Sequence, residues 1–307
     1  MKLIIQIPAY NEAEQLPPTL AALPRSVPGI SAVEWLVVDD GSTDGTSAVA
    51  RAAGVDHVVR FRRNRGLARA FAAGVERALA EGADIVVNTD ADNQYDAADI
   101  PKLVAPILDG SADMVVGERS MESFGAGKRW LQRLGTLVVR MVSGTDLRDA
   151  ASGFRAFSRD TARSLKVFNE FTYTVETVIQ AGLAGWAVVS VPVRTRTTTR
   201  PSRLFRSNWA FVIRQTTTMV RILMAYRPFQ FFAIPGVVVF TGGFLIGGRF
   251  LYFFFTMGGA GHVQSLILAA LLMGLGAGLV LVGLVADLIS VNRKMLQSIE
   301  TQLHRHP

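Results

Sequence analysis

The chain has 307 residues, half of them apolar, with a mean hydropathy of +0.29 and 32 basic against 25 acidic side chains. That length holds one sizeable domain and something more, and a pI near 10.1 points to a polyanionic partner such as nucleic acid, anionic lipid or a phosphorylated substrate. There is no cysteine, which excludes disulfides, thiolate zinc sites and cysteine nucleophiles.

The first run, KLIIQIPA (2–9), is too short and too soon polar for a signal peptide. It predicts a buried strand and a first domain that starts in the cytosol. Strand-like runs recur at 34–40, 57–61, 84–90, 113–118 and 186–193, with helix-like stretches at 12–23, 44–53, 66–81, 99–109 and 174–184. Strands alternating with helices predict a mostly parallel sheet flanked by helices, and such sheets bind ligands at the carboxyl ends of their strands. Four polar clusters stand at those ends: PAYNE (8–12), DDGSTDGT (39–46), TDADNQ (89–94) and GERS (117–120).

In DDGSTDGT a strand ends, turns at Gly41 and restarts as a helix that Ser42, Thr43 or Asp44 can cap. Capping leaves Asp39 and Asp40 in excess, and at a strand end they could accept hydrogen bonds from a base or ribose. No GxGxxG accompanies them, so the dinucleotide fingerprint is absent. NTDADNQYDAADIP (88–101) is denser in acid. Residues two apart on an extended chain share a side, so Asp90, Asp92 and then Gln94 converge. Two carboxylates and an amide oxygen suit magnesium, which takes one or two carboxylates and completes its shell with phosphate and water. A calcium loop counted from Asp90 would need Gly and Glu where Tyr95 and Pro101 stand. Asp96 and Asp99 precede a helix and are expected to cap it or to favour its N-terminus.

Helical period also marks 128–142, with Arg129, Arg133 and Arg140 among large apolar residues, and 204–226; basic amphipathic helices of this kind lie in membrane interfaces or on ordinary protein surfaces. RTRTTTRPSRLFR (194–206) has five arginines and no acid, a solvated loop or a clamp for phosphate. Two uncharged stretches follow, of 21 residues between Arg227 and Arg249 and of 24 between His262 and Asp287. Each can span a hydrocarbon core of roughly 30 Å. Basic residues precede the first and follow the second, and none lies in the connector TMGGAGH, so both ends are expected to face the cytoplasm.

IPAYNE, VVDDGSTDGT, NRGLARAFAAG, DADNQ, DAASGFRAF, YTVETVIQAGLAGWAVVSVPV and RPSRLF occur in this order along the chain. Together they resemble glycosyltransferase family 2, with the GT-A fold, and within it the polyprenyl- or dolichyl-phosphate sugar synthases. The resemblance implies that Pro8, Tyr10, Glu12, Asp39 and Asp40 hold the donor nucleoside. It implies that Asp90, Asp92 and Gln94 hold Mg2+ or Mn2+ on the diphosphate. Arg119, with Arg129 and Arg133, would meet the acceptor phosphate; Arg200, Ser202 and Arg203 would close over phosphates; Asp149 and Glu176 would lie on the acceptor side. Asp92, Asp149 and Arg119 are the expected catalytic set. Arg203 stands where the mannose-synthase pattern has lysine and Pro201 where it has glycine, so the donor identity does not carry over.

The implied layout is a GT-A domain over 1–203, with 128–142 a candidate interfacial helix and 204–227 a juxtamembrane helix. Membrane helices follow at about 228–254 and 263–288 within 228–290, and a cytoplasmic tail over 291–307. The implied reaction is inverting transfer of one hexose, from a UDP-sugar or else GDP-mannose, to polyprenyl phosphate at the cytoplasmic face of the cell membrane. A lipid phosphate oxygen is already anionic near neutral pH, and none of the four histidines (57, 262, 304 and 306) lies near a motif to serve as base. The partners expected are donor, lipid acceptor and membrane lipids, with homo-oligomerisation left open. Nucleic acid is not expected, since no recognition motif occurs. The rivals are a chain-extending transferase of the same fold, whose QxxRW motif is missing, and an idle nucleotide-sugar-binding scaffold.

Overall fold

The computed structural model describes residues 1–119, 126–165, 167, 173–196, 217, 220–221, 223–224, 226–258 and 263–303, with backbone alone at 126–134, 257, 293–294 and 296–303. The chain divides into two compact units, Met1–Val212 and Ile213–Pro307.

In the first unit the strands are β1 (Lys2–Ala9), β2 (Ala32–Asp39), β3 (His57–Arg60), β4 (Ile85–Asn88), β5 (Met114–Arg119), β6 (Arg155–Ser158) and β7 (Val188–Val193). The helices are α1 (Leu16–Ala22), α2 (Thr46–Ala52), α3 (Leu67–Ala80), α4 (Ile100–Leu108), α5 (Ala126–Ser143), α6 (Arg159–Ser164) and α7 (Thr174–Leu183). The strands form one sheet in the order β3-β2-β1-β4-β6-β5-β7. β1 pairs in parallel with β2 and β4, β2 with β3, and β5 with β7. β6 runs antiparallel to both of its neighbours, β4 and β5.

β1 lies mid-sheet and is buried on both faces, which is why it reads as a nearly continuous apolar run, broken at Gln6, rather than an alternating one. Leu3, Ile5 and Ile7 enter a core shared with Leu16 and Leu20 of α1 and Leu103, Val104 and Ile107 of α4. Each such fully buried side chain stabilises the fold by roughly 1.5–3 kcal/mol. On the opposite face Gly74 of α3 sits directly over Gln6 and Val38. Phe71 of α3 stacks on Tyr173 with ring centroids 3.8 Å apart and meets Phe157 edge-on.

The strand β6 and the helix α6 have no counterpart in the sequence expectation. A four-residue strand carrying an arginine gives no periodic signal, and α6 adds only six residues. α1 is also shorter than the expected 12–23, because 12–15 form a turn in which Gln15 and Leu16 N–H donate to Glu12 C=O.

The second unit holds α8 (Pro228–Met257) and α9 (Val263–Leu303). Within them 29 residues, Pro228–Thr256, and 30 residues, Val263–Asn292, are apolar and long enough to cross a membrane. The two helices pack backbone to backbone: a methyl on Gly236 would lie 2.8 Å from Gly276 C=O, and one on Gly243 would lie 2.9 Å from Ala269 C=O. Small residues permit such close approach in spans. Leu245, Phe255, Leu271 and Leu288 point outward, exposed.

Candidate active site

β1, β2, β4 and β5 all run the same way, so PAYNE, DDGST, TDADNQ and Arg119 stand at one edge. Because β6 runs the other way, the loop before it, Asp149–Gly153, opens at that same edge. Arg155 at the start of β6 pairs with Asn88 at the end of β4 and with Val116 of β5.

On one side the PAYNE and DDGST turns are stitched together. Asn11, which adopts the left-handed region at φ 53°, donates its N–H to Ser42 Oγ at 2.9 Å and accepts from Thr43 N–H at 2.9 Å. Pro8 is buried, Glu12 is half-buried with its N–H on Thr46 Oγ1, and Tyr10 is 44% exposed. Asp39 and Asp40 are buried, and their oxygens already have protein donors. Asp39 accepts from Ser42 N–H at 2.8 Å and from the Ser47 hydroxyl. Asp40 accepts from Arg65 N–H at 2.7 Å and Gly66 N–H at 2.9 Å, clamping the β3–α3 loop. Burial raises the Asp40 pKa, and those two N–H groups pull it back in part. Gly41 must be glycine: its φ is +74°, and a Cβ would sit 2.6 Å from Asn64 N. The α2 cap differs from the expectation: Gly45 is the N-cap, and Asp44 accepts from Thr46 N–H at 3.0 Å.

On the β4 side the picture inverts. Asp92 is exposed and accepts from the backbone N–H of Gln94, at 3.0 Å. No described residue donates a hydrogen bond to the Asp90 carboxylate. Burial, and then the charge of Asp92, push the Asp90 pKa up to about 7 against the pull of Arg119 and Arg155. Asn93, directly after Asp92, is held at φ 55°. Gln94 is fixed by its backbone, whose C=O accepts from Arg196 N–H at 2.8 Å. Among the described residues no cluster of three or more His, Cys, Asp or Glu could hold a metal.

Asp96 caps a short 3-10 turn through Ala98 N–H. Asp99 stands at the N-cap of α4, where its charge favours the N-terminus as expected, but its side chain makes no capping bond. It is fully buried instead, accepting from Arg194 N–H at 2.7 Å and pairing with the Arg194 guanidinium and with Lys102. The first residues of the basic segment are thereby fastened to the acid-rich loop.

On the β5 side Arg119 forms a two-pronged ion pair with buried Asp149, at 2.7 and 3.1 Å. Arg119 also lines a cavity of about 450 Å³ with Glu118, Thr136, Leu137, Arg140, Leu147 and Arg148. Glu176 is buried in the first turn of α7. Arg129 and Arg133 lie on α5, with side chains outside the described atoms, and Arg200, Ser202 and Arg203 lie outside the described residues.

Beneath the edge sits a polar layer that sequence inspection missed. Arg155 is fully buried and donates to Ser152, Ala150 and Thr174 C=O and to Thr177 Oγ1, binding the 149–153 loop to α7. Burial lowers its pKa to about 10, which leaves it charged at neutral pH. Asn88 accepts from Gln6 and donates to Gly153 C=O and Tyr173 Oη. The available signal was an arginine inside the apolar run GFRAF.

The family model for glycosyl transferase family 2 matches residues 4–165. An undecaprenyl-phosphate mannosyltransferase of Micrococcus luteus is 31% identical over 206 residues, which cover 63% of this chain and 83% of that protein. A polyprenol monophosphomannose synthase of Mycolicibacterium smegmatis is 28% identical over 62% of this chain and 76% of its own. The solved glucosyl-3-phosphoglycerate synthase of Mycobacterium tuberculosis, in complex with Mn2+, UDP-glucose and phosphoglyceric acid, superposes with a TM-score of 0.52 at 24% identity, covering 71% of this chain and 79% of that one. The sheet and its flanking helices are therefore of the GT-A type. On the match across more than half its length, the chain belongs to glycosyltransferase family 2.

Proposed function

We propose that the protein moves one hexose from a nucleotide-diphospho-sugar to a polyprenyl phosphate, with inversion, at the cytoplasmic face of a membrane. One observation carries this reading: Arg119 serves two environments. Its charge acts on the Asp90 carboxylate, and its side chain lines a cavity that mixes arginines with leucines. A nucleotide diphosphate suits the first, and a phosphate with prenyl carbons suits the second. The relatives named for mannosyl transfer to undecaprenyl or polyprenol phosphate support the acceptor class. In our reading the donor is a UDP-hexose; GDP-mannose is the alternative, and the mannosyl relatives weigh on its side. The two apolar helices would anchor the chain beside its lipid substrate, with both termini in the cytoplasm.

A divalent cation fits Asp90 and Asp92. A half-buried carboxylate with no hydrogen-bond donor among the described residues, beside a second carboxylate, is the set that a hard ion compensates while taking its remaining ligands from phosphate and water. Asp90 and Asp92 would hold Mg2+ or Mn2+, with Gln94 next on the loop. When bound, the ion supplies charge neutralisation for the departing diphosphate.

The remaining chemistry is done by the chain. Tyr10 offers an exposed ring for the nucleobase. Pro8 and Glu12 form the adjoining wall, and Asp39 and Asp40 fix its shape while keeping lone pairs for the nucleoside. Asp149 holds Arg119 in one orientation, so the guanidinium meets the acceptor phosphate without reorganising. Arg129, Arg133, Arg200, Ser202 and Arg203 would add contacts to the phosphates, and Glu176 would support the acceptor side. A phosphate monoester is largely ionised at neutral pH, its second pKa lying near about 6, so attack on the anomeric carbon needs no general base.

The test is to incubate membranes containing the protein with a panel of radiolabelled nucleotide-sugars. Label should enter the chloroform-soluble lipid as a single sugar per lipid. Label in longer oligosaccharides, or none in lipid from any donor, would refute the proposal.

A further inference from the structure

We infer that Tyr95 is a positioning residue that sets the spacing between the Asp90 carboxylate and the Arg119–Asp149 pair; this rests on the function proposed above. Tyr95 directly follows DADNQ and is 4% exposed. Its ring stacks on Phe154 with centroids 5.0 Å apart, and its backbone bridges to Thr195. Its hydroxyl oxygen accepts from Gly153 N–H at 3.1 Å and Ser152 Oγ at 3.4 Å.

Gly153 is the contact through which this hydroxyl reaches the site. A methyl there would stand 3.1 Å from both Asp90 oxygens and 3.0 Å from Tyr173 Oη. The carbonyl of Gly153 is held from below by Asn88 Nδ2 at 2.8 Å and by Tyr173 Oη at 3.4 Å. Gly153 is thus clamped at its N–H by Tyr95 and at its C=O by the buried layer. The same short loop carries Asp149, which orients Arg119. Asp90, Tyr95 and Asp149 are therefore joined through one peptide segment. A displacement there alters how far the two phosphate-handling groups stand apart, and small misplacements cost rate steeply.

An ordinary core tyrosine would satisfy its hydroxyl without any such consequence, so the test must separate packing from positioning. Tyr95→Phe keeps the ring stacked on Phe154 and removes only the acceptor for Gly153 and Ser152. In the full-length protein in nanodiscs, it should melt within a few degrees of wild type. Its kcat should fall roughly tenfold, about the factor for one hydrogen bond, with donor KM changed less than about twofold. Affinity for Mn2+ alone, titrated by electron paramagnetic resonance, should fall about fivefold. Gly153→Ala leaves Tyr95 in place and crowds the Asp90 oxygens directly, so it should weaken Mn2+ binding as well. Unchanged kcat and Mn2+ affinity in Tyr95→Phe would overturn the inference, as would losses that track the melting temperature alone in both variants. If the wild-type protein moves no sugar to polyprenyl phosphate, the proposed function fails, yet the Mn2+ titrations still decide the role of Tyr95.

Discussion

Two aspartate pairs end the two strands that flank β1, and they look alike in sequence: Asp39–Asp40 closes β2, and Asp90–Ala–Asp92 follows β4. Their surroundings are opposite. The first pair is buried, and its oxygens take N–H and hydroxyl groups from Ser42, Ser47, Arg65 and Gly66. The second is partly accessible, and its inner carboxylate receives no hydrogen bond from a described residue. The first pair builds a wall. The second is the pair we propose for a divalent ion. What separates the two pairs is the supply of donors, local for Asp39 and from the β3–α3 loop for Asp40.

The comparison breaks most sharply at Asp92. Asp92→Ala should cut transfer to lipid phosphate by roughly 10²–10³-fold or more, with little change in melting temperature, and excess chelator should do the same to wild type. Full turnover without divalent ion would remove the contrast between the pairs. Asp40→Ala should show the reverse order of effects. It leaves two partly buried N–H groups without their acceptor, which costs about 1–2 kcal/mol and lowers the melting temperature by a few degrees. The β3–α3 loop should loosen, visible as faster hydrogen exchange at Arg65 and Gly66.

A third and smaller effect is in pH. In the folded, metal-free protein Asp90 keeps its proton up to about pH 7, whereas in the unfolded chain it ionises near its ordinary value of 3.8. The folded state therefore binds more protons between those values, and stability falls as pH rises through that window. Chelator-treated protein should melt at progressively lower temperature from about pH 4 to pH 7 and level off above. Asp90→Asn should flatten the trend, and a profile rising with pH at this residue would contradict the assignment. The least effect is expected at Asp96. Asp96→Ala removes a cap from a short turn, costs about 0.5–1 kcal/mol and should leave lipid glycosylation at its wild-type rate.

What could be read in advance follows from the range of the interaction. β1, β2 and β4 announce themselves because a strand buried on both faces is largely apolar, and the polar clusters at their ends follow from strand direction. The two long apolar helices are equally plain. β6 was hidden because four residues with an arginine in front carry no periodicity, although its direction is what brings Asp149–Gly153 to the site. Asp99 was expected to serve the helix beside it, and its partner Arg194 lies 95 residues away. Tyr95 and Asn88 share that character: each acts through groups far along the chain, at Gly153 and beyond. The engagement of Asp40 was unreadable for the same reason, since Arg65 and Gly66 arrive on another strand's loop, whereas the donors to Asp39 are local, Ser42 and Ser47.

The reversed strand β6 has a consequence for how this enzyme can change over time. Residues up to Asn88 make a self-consistent run of parallel strands that carries the proposed nucleotide side. Everything proposed for the acceptor hangs beyond one four-residue joint, Arg155–Ser158. A lineage could exchange the loop before that joint, or remodel the cavity beside it, and meet new acceptors while inheriting donor recognition intact. The buried guanidinium of Arg155 is the pin of that joint, so variation should be tolerated around it and resisted at it.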